Sequence, residues 1–420
     1  MKIVLATFGS LGDMHPIIAL ALELRHRGHE TAVATMEFYR EKIEMLGLEF
    51  RPMRPHIDFE EAKEMMPDLM DAKKGPEKML REIVLPNLRE MYDDLTEAVA
   101  DADLFITGEV VYVAPSVAEM TGKKWISSGL SPVTTFSAHD PGVFPTAQWL
   151  RHLRPLGAEF HKALFSVLRL TIRRWFEPLK KFRREIGLNE NHDPIFDDKY
   201  SDLLHLALFS KALAKPQPDW HQPTLQAGFC FYDGQNDTGV MPAGLAEFLD
   251  AGDAPVVFTL GSAAVMDARD FFEESAKAAQ MLGRRAVLLY GVYNEPPKGL
   301  SDEIVGFGYA PYSLVFPKAA CVVHQGGVGT TAQVLRVGVP HLIMPYSHDQ
   351  PDNAARCERI GVARVISRDD YTAENAARYL RGILTDSSYQ AKAVEASVIV
   401  AAEGGTQTAC DAIETILRKQ

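Results

Sequence analysis

The sequence predicts a parallel α/β protein built as two doubly wound domains facing a cleft. Short apolar runs without internal turn residues alternate with helix-like stretches, first from residue 2 and again from residue 255. Such alternation builds parallel sheets covered on both faces. Between the two series lies Lys215-Pro216-Gln217-Pro218 through Pro223, with the Pro and polar content of a linker. Each series also carries a Gly-rich turn between a strand and a helix, where open parallel sheets bind ligands.

In the first series, residues 2–7 (KIVLAT) read as a buried strand. Phe8-Gly9-Ser10-Leu11-Gly12-Asp13 is the Gly-rich loop. Residues 14–27 follow as a helix, apolar at Ile17, Ile18, Leu20, Ala21 and Leu24, and stop at Gly28. A strand over 30–35, a helix over 37–46 and a strand over 48–51 come next. Residues 53–100 are helical, charged and Met-rich, and Met at helical spacing usually fills core. Residues 104–107 and 124–127 continue the sheet, with a helix around 115–120 between them. Residues 128–149 form a long Ser-, Thr- and Pro-rich loop carrying Phe136 and Phe144, and loops of that length are often functional. Residues 203–209 close this domain as a strand. The expected division is 1–215, a linker over 216–235, a second domain over 236–404 and a terminal helix over 405–420.

The second series opens with 256–262 (VVFTLGS) and has a strand over 304–307 before Tyr309-Ala310-Pro311-Tyr312. Its informative stretch is 320–353. After the strand Cys321-Val322-Val323 come His324, Gln325, Gly326, Gly327 and Gly329, and a helix runs from Thr330. A turn of this kind exposes backbone N–H groups beside the positive end of a helix dipole, an anion site to which His324 would add a donor. The next strand, 341–344, ends at Ser347-His348-Asp349-Gln350, placing a carboxylate and a carboxamide beside that site. Phosphate plus polyol suggests a nucleotide sugar. Two rivals stand on the same residues. One is a plain turn. The other is a dinucleotide fingerprint, since Gly327, Gly329 and Ala332 fit G-x-G-x-x-A and Asp349 lies near the distance of a ribose-binding acid.

HQGGVGTT followed by a strand and HDQPDN resembles the donor signature of the nucleotide-sugar glycosyltransferases that modify small molecules, in the branch with sterol, macrolide and rhamnolipid glycosyltransferases. The resemblance implies the GT-B fold, with acceptor in the first domain, donor in the second and a C-terminal helix returning to the first. It implies a UDP- or TDP-sugar as co-substrate, with no cofactor and no metal. It puts the diphosphate on Ser262, His324, Gly326, Gly327, Gly329 and Thr330, the nucleobase on Tyr309 and Ala310, and the sugar hydroxyls on Asp349 and Gln350. It also makes Asp13 the general base, three residues before Pro16, with His15 as a neighbouring helper. In His-based relatives an Asp orients the base; here Gly108 stands at that place and Glu109 one residue on. Met65, Phe136 and Phe144 would wall the acceptor pocket.

Asp13 also reads as a helix N-cap, an arrangement favoured by ~1 kcal/mol. A helix N-terminus would favour its charged form and make it a weak base, better suited to a phenol. Glu109 reads equally as a capping or solvated residue.

The formal net charge of −12 argues against a nucleic-acid partner. Cys230, Cys321, Cys357 and Cys410 show no metal or redox spacing, which fits a reducing cytosol. The N-terminus reads without a signal peptide, and no apolar run has membrane-spanning length. Residues 151–185 are basic and apolar by turns, reading as amphipathic helices or as a weak contact with an anionic membrane.

The expected protein is an inverting, metal-independent glycosyltransferase, a monomer or weak dimer. It would move a hexose, glucose by preference, to a hydroxyl of a lipophilic small molecule: a phenol, sterol, macrolide or hydroxy-lipid. A nicotinamide-dependent oxidoreductase, a sugar-nucleotide epimerase and a catalytically silent nucleotide-sugar-binding protein are the alternatives.

Overall fold

The computed structural model describes residues 1–57, 59–190, 193–232, 234, 240–292 and 294–418. The expected limit at 235/236 lies outside the described residues.

The first sheet comprises β1 (Lys2–Ala6), β2 (Glu30–Thr35), β3 (Glu49–Pro52), β4 (Leu104–Thr107), β5 (Lys124–Gly129), β6 (His205–Ala207) and β7 (Thr224–Gln226). The second comprises β8 (Val256–Thr259), β9 (Ala286–Leu289), β10 (Ile304–Phe307), β11 (Cys321–His324), β12 (His341–Ile343) and β13 (Ala363–Val365). The strand orders are β3-β2-β1-β4-β5-β6-β7 and β10-β9-β8-β11-β12-β13. All these pairings are parallel. The expected pair of doubly wound sheets is therefore present. The order reverses between β1 and β4 in one sheet and between β8 and β11 in the other, and ligands of open sheets bind at such reversals.

Both faces of the second sheet are buried. Val256 and Phe258 of β8 join one apolar cluster and Val257 joins another, as the two-residue period of a strand requires. The first sheet shares one large core with the helix Leu11–His26, whose Met14, Ile17, Ile18 and Leu24 are buried.

The structure corrects the sequence reading of the sheet edge and of the Met-rich helices. Residues 203–209 do not close the first sheet: β7 pairs outside β6, its three residues following Pro223 being too few to show a period. The Met-rich helices also do not serve the first domain alone. Met65 packs on the first core, but Met70 is buried in the second domain's cluster with Phe271 and Tyr346, and Met66 packs against it.

The helix Gly405–Arg418 lies on the first domain. Its Ala409, Cys410, Ile413 and Leu417 belong to that domain's core, and Arg27 pairs with Asp411 at 2.5 Å and Glu414 at 3.3 Å. The helix Gly157–Ile172 leaves part of its apolar side in solvent, with Val167 57% and Leu170 70% exposed beside the exposed Arg173 and Arg174.

Candidate active site

Asp13 follows β1 and enters the cleft from the first domain. Ser10, not Asp13, is the N-cap of the helix Leu11–His26, and Asp13 is its third residue, completing a capping box. The Ser10 N–H donates to Asp13 Oδ2 at 2.8 Å and the Ser10 hydroxyl at 3.1 Å. Gly9 has to be glycine: its φ is +134° and a Cβ would lie 2.4 Å from Asp13 Oδ2. The carboxyl lies partly buried against this loop. Desolvation pushes its pKa up to about 6, against the Ser10 hydrogen bonds, which hold it down. That overturns the expectation of a weak base, because burial outweighs the helix terminus.

His15 stands on another side of the helix from Asp13. Residues two apart on a helix face ~200° apart, and its ring packs on Tyr232 at 5.2 Å.

Glu109 follows β4, across the sheet reversal from Asp13. It is neither a cap nor solvated: it turns into a recess with Trp125, Ser127, Lys199 and His205. Its Oε2 is buried without a hydrogen-bond partner. Burial raises its pKa, Lys199 opposes that, and the Asp13 charge adds to it. Lys199 is lowered by burial and raised by Glu109; its ammonium donates to Thr134 O and lies 4.7 Å from the Phe136 ring centre. An Asp at Gly108 would require Thr7 to shift, since a Cβ there would come 2.8 Å from Thr7 Oγ1.

In the second domain, Gly327 is the N-cap of the helix Val328–Val337, so the N–H groups of Val328 and Gly329 open the helix towards the cleft. The first domain closes on this turn: a Cβ on Gly329 would have as its nearest neighbour Gly12 Cα, at 3.8 Å. Thr330 is buried, and a Cβ on Gly261 would lie 3.3 Å from its Oγ1. Ser262 stands exposed just after β8. Asp349 Oδ2 accepts from Val328 N at 3.1 Å and Asn353 Nδ2 at 2.7 Å. Burial pushes Asp349 up to about 7; Asn353 pulls it down and the Asp13 charge pushes it up. Gln350 already spends its Oε1 on Tyr346 N at 2.9 Å, which leaves its amide NH2 for a ligand.

His324 is a correction. Its ring is fully buried below the turn: Nδ1 accepts Gly326 N–H at 3.0 Å and Nε2 meets His341 Nδ1 at 2.9 Å. Desolvation holds it neutral, with a pKa of about 3. It shapes the Gly-rich turn from beneath. Strand alternation sends the next side chain to the opposite side, so Gln325 takes the position expected of His324. Ideal Cβ atoms on Gly261 and Gly327 would lie 2.3 and 2.8 Å from Gln325 Nε2, and its buried Oε1 has no partner. Gln325 thus sits between the β8 and β11 ends; its place directly after the strand was the available signal.

Tyr309 is half exposed after β10, whereas Ala310 lies fully buried with Val315 and Phe316, so only its backbone could serve a nucleobase. Tyr312, not anticipated, places its OH 2.7 Å from Thr259 Oγ1 at the end of β8. Phe136 and Phe144 stack with centroids 6.2 Å apart, and Phe196 lies 4.6 Å from Phe136. Met65 is partly buried on the first core.

Two opposed sheet reversals, with carboxylates on one side and a Gly-rich helix start on the other, define a nucleotide-sugar transferase cleft. The chain belongs to the GT-B glycosyltransferases. Residues 3–117 match the glycosyltransferase family 28 N-terminal domain, and residues 295–414 match the erythromycin biosynthesis protein CIII-like C-terminal domain. It is 31% identical to O-mycaminosyltylonolide 6-deoxyallosyltransferase of Streptomyces fradiae, over 99% of this chain and 97% of that protein. Among solved structures, the kitacinnamycin glycosyltransferase superposes with a TM-score of 0.76 at 20% identity, covering 99% of each chain. VinC, solved in complex with dTDP, gives 0.69 at 20% identity over 100% of each chain. Glycosyltransferases of this family use nucleotide-sugar donors and need no cofactor. Among the described residues, no helix is long and apolar enough to cross a membrane, and no group of three or more His, Cys, Asp or Glu is placed to hold a metal ion.

Proposed function

We propose that the protein is an inverting, metal-independent hexosyltransferase that moves a sugar from a TDP- or UDP-hexose to a hydroxyl of a lipophilic small molecule. The observation that carries this reading is the meeting of Asp13 with the start of the helix Val328–Val337 at the Gly12–Gly329 contact. Ionised Asp13 takes the proton from the acceptor hydroxyl. The oxygen attacks the anomeric carbon from the face opposite the diphosphate, and the bond from carbon to phosphate oxygen breaks. The Gly329 N–H group, Gln325, Thr330 and Ser262 stabilise the departing charge, with pre-aimed donors in place of a metal. Asp349 and the Gln350 amide hold sugar hydroxyls, and Tyr309 stacks on the nucleobase. Met65, Phe136 and Phe144 line the acceptor side.

The S. fradiae relative is named for a 6-deoxyallosyl group and a macrolide glycoside, which supports a hexose and a macrolide-like acceptor. The dTDP complex of VinC favours a thymidine donor; glucose remains the sugar to try first with either base. We place the acceptor domain at 1–215 together with β7 (Thr224–Gln226), which lies inside the expected linker 216–235 and belongs to the first sheet, the donor domain at 236–404 and the returning helix at 405–420. The exposed Val167, Leu170, Arg173 and Arg174 would meet an anionic bilayer carrying a lipophilic acceptor, and salt-sensitive co-sedimentation with anionic vesicles checks this.

A thermal-shift panel with TDP, UDP, GDP and NAD tests the donor site. A ligand at 100 times its dissociation constant adds ~2.7 kcal/mol. A shift with TDP or UDP and none with NAD is expected. A shift with NAD alone would reinstate the oxidoreductase.

A further inference from the structure

The Gly-rich turn is tied to the first domain through Asn353. This residue lies one turn into the helix Gln350–Arg359 and is fully buried. Its Nδ2 donates to Gly326 O at 3.0 Å and to Asp349 Oδ2 at 2.7 Å, and its Oδ1 accepts from Ser131 Oγ at 3.1 Å. The Gly326 carbonyl can only accept, which fixes the orientation of the amide and leaves its oxygen for Ser131. Asp349 in turn holds Val328 N–H. One carboxamide therefore grips the carbonyl of the turn, the carboxylate beside it and a hydroxyl from the long loop after β5.

The same loop is fixed to the same helix a second time. Buried Arg356 pairs with Asp352 at 2.6 Å and with buried Asp140 of the loop, while Asp352 Oδ1 accepts Val143 N–H at 2.9 Å. Arg359 also reaches Asp140, at 3.3 Å, and so does Arg154. Ser131, Asp140 and Val143 of the loop are thus all held by the helix that begins with Gln350.

We infer that Ser131 and Asn353 are positioning residues for the donor: a hydroxyl of the first domain sets the geometry of the diphosphate turn in the second without touching the nucleotide. The inference rests on the reading of that turn as the diphosphate cradle. With Ser131 removed, the Asn353 oxygen is a buried acceptor without its partner, and the amide can turn away from Gly326 and Asp349. The cradle then has to be ordered by the ligand itself.

The test is calorimetric titration of TDP and UDP into the intact protein and its Ser131→Ala, Asn353→Ala, double and Gln325→Ala variants. One buried hydrogen bond corresponds to about a 3–10-fold change. Ser131→Ala should weaken nucleotide binding by that factor. Asn353→Ala should weaken it at least as much, and Ser131→Ala should have no further effect in the Asn353→Ala background, because the two act through one contact. A role in stability alone would lower the melting temperature and leave these affinities unchanged. Gln325→Ala separates the two ways of failing. If it weakens binding and Ser131→Ala does not, the positioning role is wrong and the cradle stands. If neither weakens binding, the cradle reading falls and the inference with it.

Discussion

Replacing Asp13 by Asn should abolish glycosyl transfer and leave the fold intact. An Asn oxygen can still accept the Ser10 N–H that Asp13 Oδ2 takes at 2.8 Å, so the helix start is kept. What disappears is the base, and a positioned general base contributes about 10²–10⁴-fold in rate. In the parent, kcat/KM should fall about tenfold per pH unit below pH 6, since burial raises Asp13 to about 6 and only the ionised form accepts a proton. The stability effect has a definite sign. A carboxyl whose pKa is raised by folding contributes stability that is complete below its unfolded value and is lost as pH rises through its folded value. Above pH 6 the folded protein carries a partly buried charge, at a cost on the order of 1–3 kcal/mol. Asp13→Asn should therefore match the parent at pH 4 within ~1 kcal/mol and be the more stable of the two at pH 8. Urea unfolding at both pH values, beside a kcat/KM profile, checks this. Near-parental turnover in the variant would remove Asp13 from the mechanism and make Glu109 the candidate.

Gly326→Ala should nearly eliminate nucleotide binding. Gly326 has φ +89°, and a Cβ would lie 2.8 Å from Ile343 Cγ2 and 3.1 Å from Gln350 O. Neither neighbour can retreat, because Ile343 ends β12 and Gln350 begins the next helix. The left-handed backbone costs about 1–2 kcal/mol and the overlap about 1–3 kcal/mol more. The chain can relieve both by refolding the turn, which would misplace the Gly329 N–H group and break the Val328 N–H bond to Asp349. TDP affinity should fall by more than about 30-fold, the equivalent of ~2 kcal/mol. Gly283→Ala is the control. It too is left-handed, at φ +60°, but nothing lies within 4 Å of its Cβ position. It should lower stability and leave TDP affinity unchanged.

The architecture was legible because strands buried on both faces leave uninterrupted apolar runs, and because ligand sites of parallel sheets lie at strand ends. Strand-end logic points to the Gly-rich turn and to Asp349-Gln350, and the family resemblance points to Asp13. The failures have physical causes. Ser10-Leu11-Gly12-Asp13 is a visible capping box, yet the apolar period starts later and put the helix three residues too far on. Whether His324 or Gln325 faces the ligand depends on the parity of one strand, which a four-residue run does not fix. The competition between helix dipole and burial at Asp13 is decided by what packs over it. Met66 and Met70 carry no sign of which core they join. Lys199 stands in a stretch without periodicity, and its closeness to Glu109 comes from the order of β4, β5 and β6.

The most direct measurement is proton NMR of slow donor hydrolysis, with water taking the place of the acceptor. TDP-glucose or UDP-glucose with the α configuration is incubated with the parent and with Asp13→Asn, and the anomer released is read before mutarotation. The account predicts β-glucose first from the parent and none above background from the variant. Release of α-glucose first, or equal release by both proteins, would contradict inversion in the one case and the role of Asp13 in the other.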